Sequence, residues 1–229
     1  MPEDSLSQIH VLDLGSSYEA ASDQEVVEAL RKSFESNGFL VITNHGVSKD
    51  QINEVETQAR KFFAQPYETK ALSKPLPGVF RGYTPVEKSA LSLSRDVETP
   101  PDFCEIFSLN RFDDPVVAKK CGLKEGREAF FSPNIWPNNL PGFKESLESY
   151  YAAMENLANH LMELSALALG LEKSWFEDKI QNHITNLTMN YYPKIESELS
   201  TNQLRRGEHS DWGTLTILHH DGESGLQIK

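Results

Sequence analysis

His209 and Asp211 are the two residues of this sequence whose types and spacing best suit chemistry at a metal ion. In a β-strand, successive side chains alternate between two faces, so residues i and i+2 project from the same face. A strand over this segment would therefore bring an imidazole nitrogen next to a carboxylate oxygen. Such a pair supplies two ligands of the facial triad of two histidines and one carboxylate that holds non-haem Fe(II). We therefore predict that both residues are metal ligands and catalytic residues.

The segments on either side of this pair are predicted to be β-strands. Residues 186–192 alternate apolar and polar side chains, which is typical of a half-buried strand, and the polar face carries Asn190 and Tyr192. Residues 214–218 predict a further strand downstream. Because a lone His-x-Asp pair occurs by chance in many proteins, these ordered neighbours strengthen its interpretation as a metal site.

Helices are predicted mostly N-terminal to these strands, where hydrophobic residues recur at helical spacing. Several begin at capping boxes, in which a serine and an acidic or amide residue three positions later satisfy free backbone N–H groups. These boxes are Ser22-x-x-Glu25, Ser48-x-x-Gln51 and Ser174-x-x-Glu177. The clearest helix runs from Phe143 to Gly170 and is suited to buttressing one side of a sheet. The β-branched and aromatic run 39–43 predicts a buried strand.

Residues 66–141 contain most of the prolines and predict an irregular region with short strands. Regions of this kind often line a binding cavity. Arg81 could there bind an acidic substrate, whereas 105–107 is predicted to be a packed strand.

The composition excludes several classes of function. The 229 residues include 22 basic and 34 acidic ones, and the net charge of −12 argues against a nucleic-acid or anionic-membrane partner. No apolar run approaches the ~20 residues of a membrane span, and the acidic N-terminus does not resemble a secretory signal. Cys104 and Cys121 form neither a disulfide framework nor a zinc motif, so we expect reduced thiols and a cytoplasmic location. The sequence does not indicate the oligomeric state.

Three motifs occur in a fixed order along the chain. They are Gly-Phe-Leu-Val-Ile-Thr-Asn-His-Gly over 38–46, Asn-Tyr-Tyr-Pro over 190–193, and His-Ser-Asp over 209–211 followed by Leu-Thr-Ile-Leu. With these motifs the sequence resembles the plant, fungal and bacterial Fe(II)/2-oxoglutarate-dependent dioxygenases, and more narrowly their isopenicillin N synthase-like branch. The resemblance runs from about Ile9 to the last residue.

The resemblance implies an α+β fold with a double-stranded β-helix (jelly-roll) core, incomplete here, supported by N-terminal strands and buttressing helices. It implies a non-haem dioxygenase N-terminal region over 1–135, with the long helix and the first part of the jelly-roll domain over 136–229. The implied activity is oxidation of a small organic metabolite by hydroxylation, desaturation or cyclisation. Fe(II) is the implied cofactor, and 2-oxoglutarate and O2 are the implied co-substrates.

The resemblance also implies roles for individual residues. His209 and Asp211 match the first two iron ligands of the family. Tyr192 matches a tyrosine that hydrogen-bonds 2-oxoglutarate, and Asn190 matches a polar residue that helps to orient this co-substrate.

The sequence departs from the family pattern beyond Asp211. The family has a distal histidine ligand and an Arg-x-Ser pair for 2-oxoglutarate several tens of residues further on, whereas the sequence ends at Lys229. His219 and His220 are too near Asp211 to replace that histidine, so we expect a C-terminally truncated member. One alternative is a truncated, non-catalytic family member that acts as a fragment or interaction partner. A zinc hydrolase is another, but it would need further spaced ligands that the sequence lacks.

The remaining candidate residues are predicted to have structural roles. His45 lies in a turn, His160 on a helix surface and His183 at the entry to a strand. Trp212 is predicted to pack near the site.

Overall fold

The computed structural model describes residues 9–15, 24–86, 99–111, 114–120, 126, 128–196 and 198–228. Over these residues the chain forms helices and small sheets. In chain order the elements are β1 (His10–Asp13), α1 (Gln24–Ser36), β2 (Leu40–Thr43), α2 (Lys49–Phe63), α3 (Tyr67–Lys70), β3 (Gly82–Thr84), β4 (Glu105–Leu109), α4 (Pro115–Lys120), α5 (Phe143–Ala168), α6 (Glu177–Ile180) and β5 (Leu187–Tyr191). None of the helices in these ranges is long and apolar enough to cross a membrane.

Strand β4 lies at the centre of the larger sheet. It pairs antiparallel with β3, where Phe107 lies opposite Tyr83, and with β5, where Phe107 lies opposite Met189. In the smaller sheet β1 and β2 are parallel, with Leu12 opposite Ile42, and α1 forms the crossover between them. The short strands predicted within the proline-rich region are therefore confirmed, and β5 leads the chain towards the candidate metal ligands.

The core is built around Phe62, near the end of α2. Its ring is fully buried, and its centroid lies 4.9 Å from that of Phe107 of β4, 5.5 Å from that of Phe143 of α5 and 5.7 Å from that of Tyr83 of β3. Aromatic pairs at these distances stabilise a fold beyond the burial of their apolar area. Helix α5 thus buttresses the larger sheet through its first turn, and it also packs against α1 and α2.

The predicted helices are present, but the capping boxes differ from prediction. Ser48 caps α2 by accepting a backbone N–H of the first turn at 3.1 Å, whereas Gln51 donates its side-chain amide to Ser149 and completes no box. Ser174 does not cap α6, which has no side-chain cap. Ser22 lies outside the described residues. Helices nevertheless form at these places because packing of an apolar face contributes more to helix stability than a single cap.

The strands predicted over 209–211 and 214–218 are wrong, since no strand follows β5 in the described part of the chain. A β-strand needs the backbone of a neighbour to complete its ladder, and the described residues provide no such neighbour here. The alternation itself persists. Leu215 and Ile217 pack half-buried against the core, while Thr216 between them is exposed.

Strand β2 is half-buried rather than buried as predicted. Ile42 packs against the core, whereas Val41 is 48% exposed and Phe39, just before the strand, is 45% exposed. In the described structure the two-stranded sheet therefore buries only one of its faces.

Candidate functional site

The side chains of His209 and Asp211 meet although no strand carries them. Nε2 of His209 lies 3.3 Å from Oδ1 of Asp211, and the two side chains are 29% and 54% exposed. The two donor groups are thus adjacent and accessible from solvent. Two ligands bound at right angles to one metal ion, each at about 2.1 Å, lie about 3 Å apart, so the observed separation is compatible with a shared ion.

A backbone hydrogen bond fixes the imidazole ring of His209. Nδ1 lies 2.8 Å from the carbonyl oxygen of Gly207, and because a carbonyl can only accept, Nδ1 carries the proton. In the neutral ring the lone pair is then on Nε2, the atom that faces Asp211. Metal-binding histidines are held in the same way, with the second ring nitrogen donating to a protein acceptor.

Three hydrogen bonds hold the loop before His209 on the segment before β4, and no sequence pattern predicts them. They run from Gly207 N–H to a carboxylate oxygen of Asp102 at 2.9 Å, from Phe103 N–H to the carbonyl of Leu204 at 2.8 Å, and from the side-chain amide of Gln203 to the carbonyl of Pro101 at 3.0 Å. Asp102 is 1% exposed. Sequence reasoning missed it because the bond joins residues 105 positions apart, and no local pattern connects them.

Asn190 and Tyr192 lie on β5 and directly after it. Both residues are exposed, Tyr192 to 40%. The buried part of Tyr192 is enough to raise the pKa of its hydroxyl. The charges of Arg206 and Asp102 also act on this pKa, so Tyr192 lies near the carboxylate of Asp102 that binds the loop before His209. Within the described residues, neither side chain hydrogen-bonds His209 or its aspartate partner.

Arg81 is buried and is not available to bind a substrate. Its side chain is 2% exposed and donates to the carbonyls of Phe80 and Phe130 and to the side-chain oxygen of Asn186. Burial lowers the pKa of its guanidinium group. The expectation that Arg81 could bind an acidic substrate is therefore wrong, because the residue fastens three segments of the chain together.

The three histidines predicted to be structural have protein partners, and one tryptophan departs from prediction. The ring of His45 accepts a backbone N–H two residues further on at 3.2 Å, and Nε2 of His183 lies 2.6 Å from a carboxylate oxygen of Glu155. His160 lies on α5 with only 10% of its side chain exposed, so its predicted surface position is wrong. Trp212 is 88% exposed and does not pack as predicted, because no strand holds its segment.

The pair offers two donor groups of the kinds that bind Fe(II). A neutral imidazole and a carboxylate bind Fe(II) and leave the remaining coordination positions for other ligands. In the ranges that the structure describes, no group of three or more His, Cys, Asp and Glu residues could hold a metal ion. In the described residues the candidate site therefore offers two donors, His209 and Asp211.

Comparison with known proteins places the chain in a family. Residues 9–139 match a protein family described as "non-haem dioxygenase in morphine synthesis N-terminal". This chain belongs to the Fe(II)/2-oxoglutarate-dependent dioxygenase superfamily. One relative in this superfamily, the 2-oxoglutarate-dependent dioxygenase gloF of Glarea lozoyensis, is 32% identical over 203 residues, which cover 84% of this chain and 57% of gloF. Similarly, the proline hydroxylase buaE of Petromyces alliaceus is 30% identical over 219 residues, covering 92% of this chain and 63% of buaE.

A solved structure shows the same fold over most of the chain. It is that of a full-length Neurospora crassa protein in complex with alpha-KG, which is similar with a TM-score of 0.71 and 24% identity. The match covers 90% of this chain and 61% of the Neurospora crassa protein. The chain thus spans about three fifths of the length of the proteins that it matches.

Proposed function

We propose that this protein is an Fe(II)/2-oxoglutarate-dependent oxygenase that oxidises a small organic metabolite by hydroxylation, desaturation or cyclisation. The observation that carries the proposal is the 3.3 Å approach of His209 Nε2 to Asp211 Oδ1 in a chain of this superfamily. The names of the relatives support the co-substrate and the class of substrate, since they include a 2-oxoglutarate-dependent dioxygenase and a proline hydroxylase. The net charge of −12 favours a small molecule over a nucleic acid or an anionic membrane.

His209 and Asp211 would hold the iron. When bound, the iron with 2-oxoglutarate supplies the oxidising chemistry, in which O2 and 2-oxoglutarate are consumed, succinate and CO2 are formed and the substrate is oxidised. The carboxylate of Asp211 offsets part of the charge of the ion. The carbonyl of Gly207 keeps the ring proton of His209 on Nδ1, so that Nε2 is free to bind the metal. Protonation of Nε2 competes with metal binding, and acid should therefore release the ion.

Tyr192 and Asn190 are assigned to the co-substrate. The hydroxyl of Tyr192 is protonated at neutral pH, as in any tyrosine, and can donate a hydrogen bond to a carboxylate. The amide of Asn190 is exposed on β5 and offers both a donor and an acceptor. These two side chains would orient 2-oxoglutarate beside the metal.

The proposal extends to the domain organisation and the location. A non-haem dioxygenase N-terminal region over 1–135 precedes 136–229, which comprise the long helix and the first part of a double-stranded β-helix. The match of residues 9–139 to a dioxygenase N-terminal family supports the first region, and the pairing of β4 with β5 joins the two regions in one sheet. The free thiol of Cys104 supports a reducing compartment, the cytoplasm.

Formation of succinate from 2-oxoglutarate in the presence of Fe(II) and O2 tests the proposal. We expect activity that is lost in His209→Ala and in Asp211→Ala. The matched control is His220→Ala, which removes an exposed histidine from the same segment and should leave the activity unchanged. Succinate formation that does not depend on His209 would overturn the proposal.

A further inference from the structure

We propose that Asp102 is a positioning residue that orients His209 as a metal ligand through the backbone of Gly207. The carboxylate of Asp102 accepts the N–H of Gly207 at 2.9 Å, and the carbonyl of Gly207 accepts the Nδ1–H of His209 at 2.8 Å. The two bonds hold the two peptide groups that flank the α-carbon of Gly207. This inference rests on the proposed function, because the role of Asp102 is directed towards the proposed Fe(II) site.

The position of Gly207 depends on individual bonds because its loop has no regular structure. After β5 no helix or strand fixes the backbone in the described residues, and a glycine has more accessible conformations than any other residue. Both Asp102 and Gly207 are buried. A buried backbone N–H is costly to leave without an acceptor, so the N–H of Gly207 stays on the side-chain oxygen of Asp102. Asp102 therefore determines where the carbonyl of Gly207 points.

The carbonyl of Gly207 in turn determines which nitrogen of His209 can bind a metal. While Nδ1–H is held, the neutral form of the ring has its lone pair on Nε2, beside Asp211. Without the carbonyl in place, the proton is shared between the two nitrogens and the ring is free to rotate. Partners of this kind, which touch a ligand rather than the metal, typically affect metal affinity about 10–100-fold.

A neighbouring tether provides a matched control. The side-chain amide of Gln203 binds the carbonyl of Pro101 at 3.0 Å and docks the same loop on the same segment, but it does not reach His209. Gln203→Ala therefore loosens the loop without removing the path from Asp102 to His209.

The first measurement is made on the full chain without metal. Long-range ¹H–¹⁵N NMR spectra, recorded where the ring is neutral, report which nitrogen of His209 carries the proton. We expect the Nδ1–H form in the parent protein, in Asp102→Asn, which retains the acceptor oxygen, and in Gln203→Ala. Asp102→Ala should give a mixture of both forms.

The second measurement is the affinity for Co(II), followed by its d–d absorption. Asp102→Ala should weaken binding about tenfold or more, while Asp102→Asn and Gln203→Ala stay within about threefold of the parent. An unchanged ring proton in Asp102→Ala would overturn the inference, and so would an equal loss of affinity in Gln203→Ala.

A further variant covers the case in which Asp102→Ala does not fold. Asp102→Glu keeps the charge but moves the acceptor outward by about 1.5 Å, so it should behave like the alanine variant while Asp102→Asn behaves like the parent. The reverse pattern would show that the charge matters rather than the position of the acceptor, and would overturn the inference. If the parent chain binds no Co(II), the proposed function fails, and the metal-free spectra still decide whether Asp102 positions the ring.

Discussion

Nζ of Lys70 and Oε2 of Glu105 lie 2.5 Å apart in the interior, with only 7% and 10% of their side chains exposed. The hydroxyl of Tyr83 donates to the same oxygen at 2.5 Å, and Lys70 also donates to the carbonyl of Phe63 at 3.1 Å. Burial, and then the bond to Glu105, raise the pKa of Tyr83. This cluster joins α2, α3, β3 and β4.

Replacing either Lys70 or Glu105 alone should destabilise the folded protein. We expect Lys70→Met and Glu105→Gln each to lower the free energy of unfolding by about 3–5 kcal/mol, since each disrupts the compensation of a buried charge. The double variant should cost at least about 1 kcal/mol less than the sum of the two. Denaturant titrations of all four proteins give this coupling. Strict additivity would mean that the two groups do not interact.

Phe62 should be among the most sensitive positions of the core. Phe62→Ala removes a fully buried ring that contacts Phe107, Phe143 and Tyr83, and we expect a loss of about 3–5 kcal/mol in the free energy of unfolding. Phe34 of α1, which is 39% exposed, is the matched control, and its replacement by alanine should cost well under half as much. Equal losses at the two sites, measured by urea unfolding, would contradict this description of the core.

Arg81 should contribute to stability and not to metal binding. Arg81→Lys keeps the charge but cannot reach the acceptors on Phe80, Phe130 and Asn186 together, so we expect a loss of about 1–3 kcal/mol in the free energy of unfolding. The affinity for Co(II) should be unchanged when measured well below the unfolding temperature. A variant of parental stability with weakened ligand binding would restore the substrate-binding interpretation.

Cys104 should react slowly in the folded protein. Burial raises the pKa of its thiol to about 11, so about one molecule in a thousand carries the reactive thiolate at pH 8. Labelling by Ellman's reagent in a Cys121→Ser background should be slow in buffer and fast in guanidinium chloride. Rapid labelling of the folded chain would contradict the buried position.

The same shift affects stability. The pKa of the thiol is about 9 in the unfolded chain and about 11 in the folded protein, so this residue makes the protein less stable as the pH rises between those values.

The sequence predicted most of the helices and the paired strand β5, because periodicity reports which face of an element is buried. Helix α5, for instance, was delimited within two residues at its C-terminal end by the apolar rhythm and Gly170. Local patterns did not reveal which residues lie opposite each other across the fold. The bond from Gly207 to Asp102 and the burial of Arg81 both depend on contacts between residues about a hundred positions apart.

The candidate site was predicted in its residues but not in its local structure. The spacing of His209 and Asp211 suggested a strand, whereas the described structure brings their side chains together on an irregular loop. Their contact therefore does not require a strand ladder. The loop is held by Asp102, which lies in a distant segment of the chain. No sequence pattern predicts this contact.

Anaerobic titration of this chain with Fe(II) in the presence of 2-oxoglutarate tests the central claim most directly. A metal-to-ligand charge-transfer absorbance should appear as the chelate forms, and it should be absent in His209→Ala and in Asp211→Ala but retained in His220→Ala. A soluble, folded chain that shows no such band, or a band that is indifferent to His209 and Asp211, would contradict the assignment of these residues as the iron ligands.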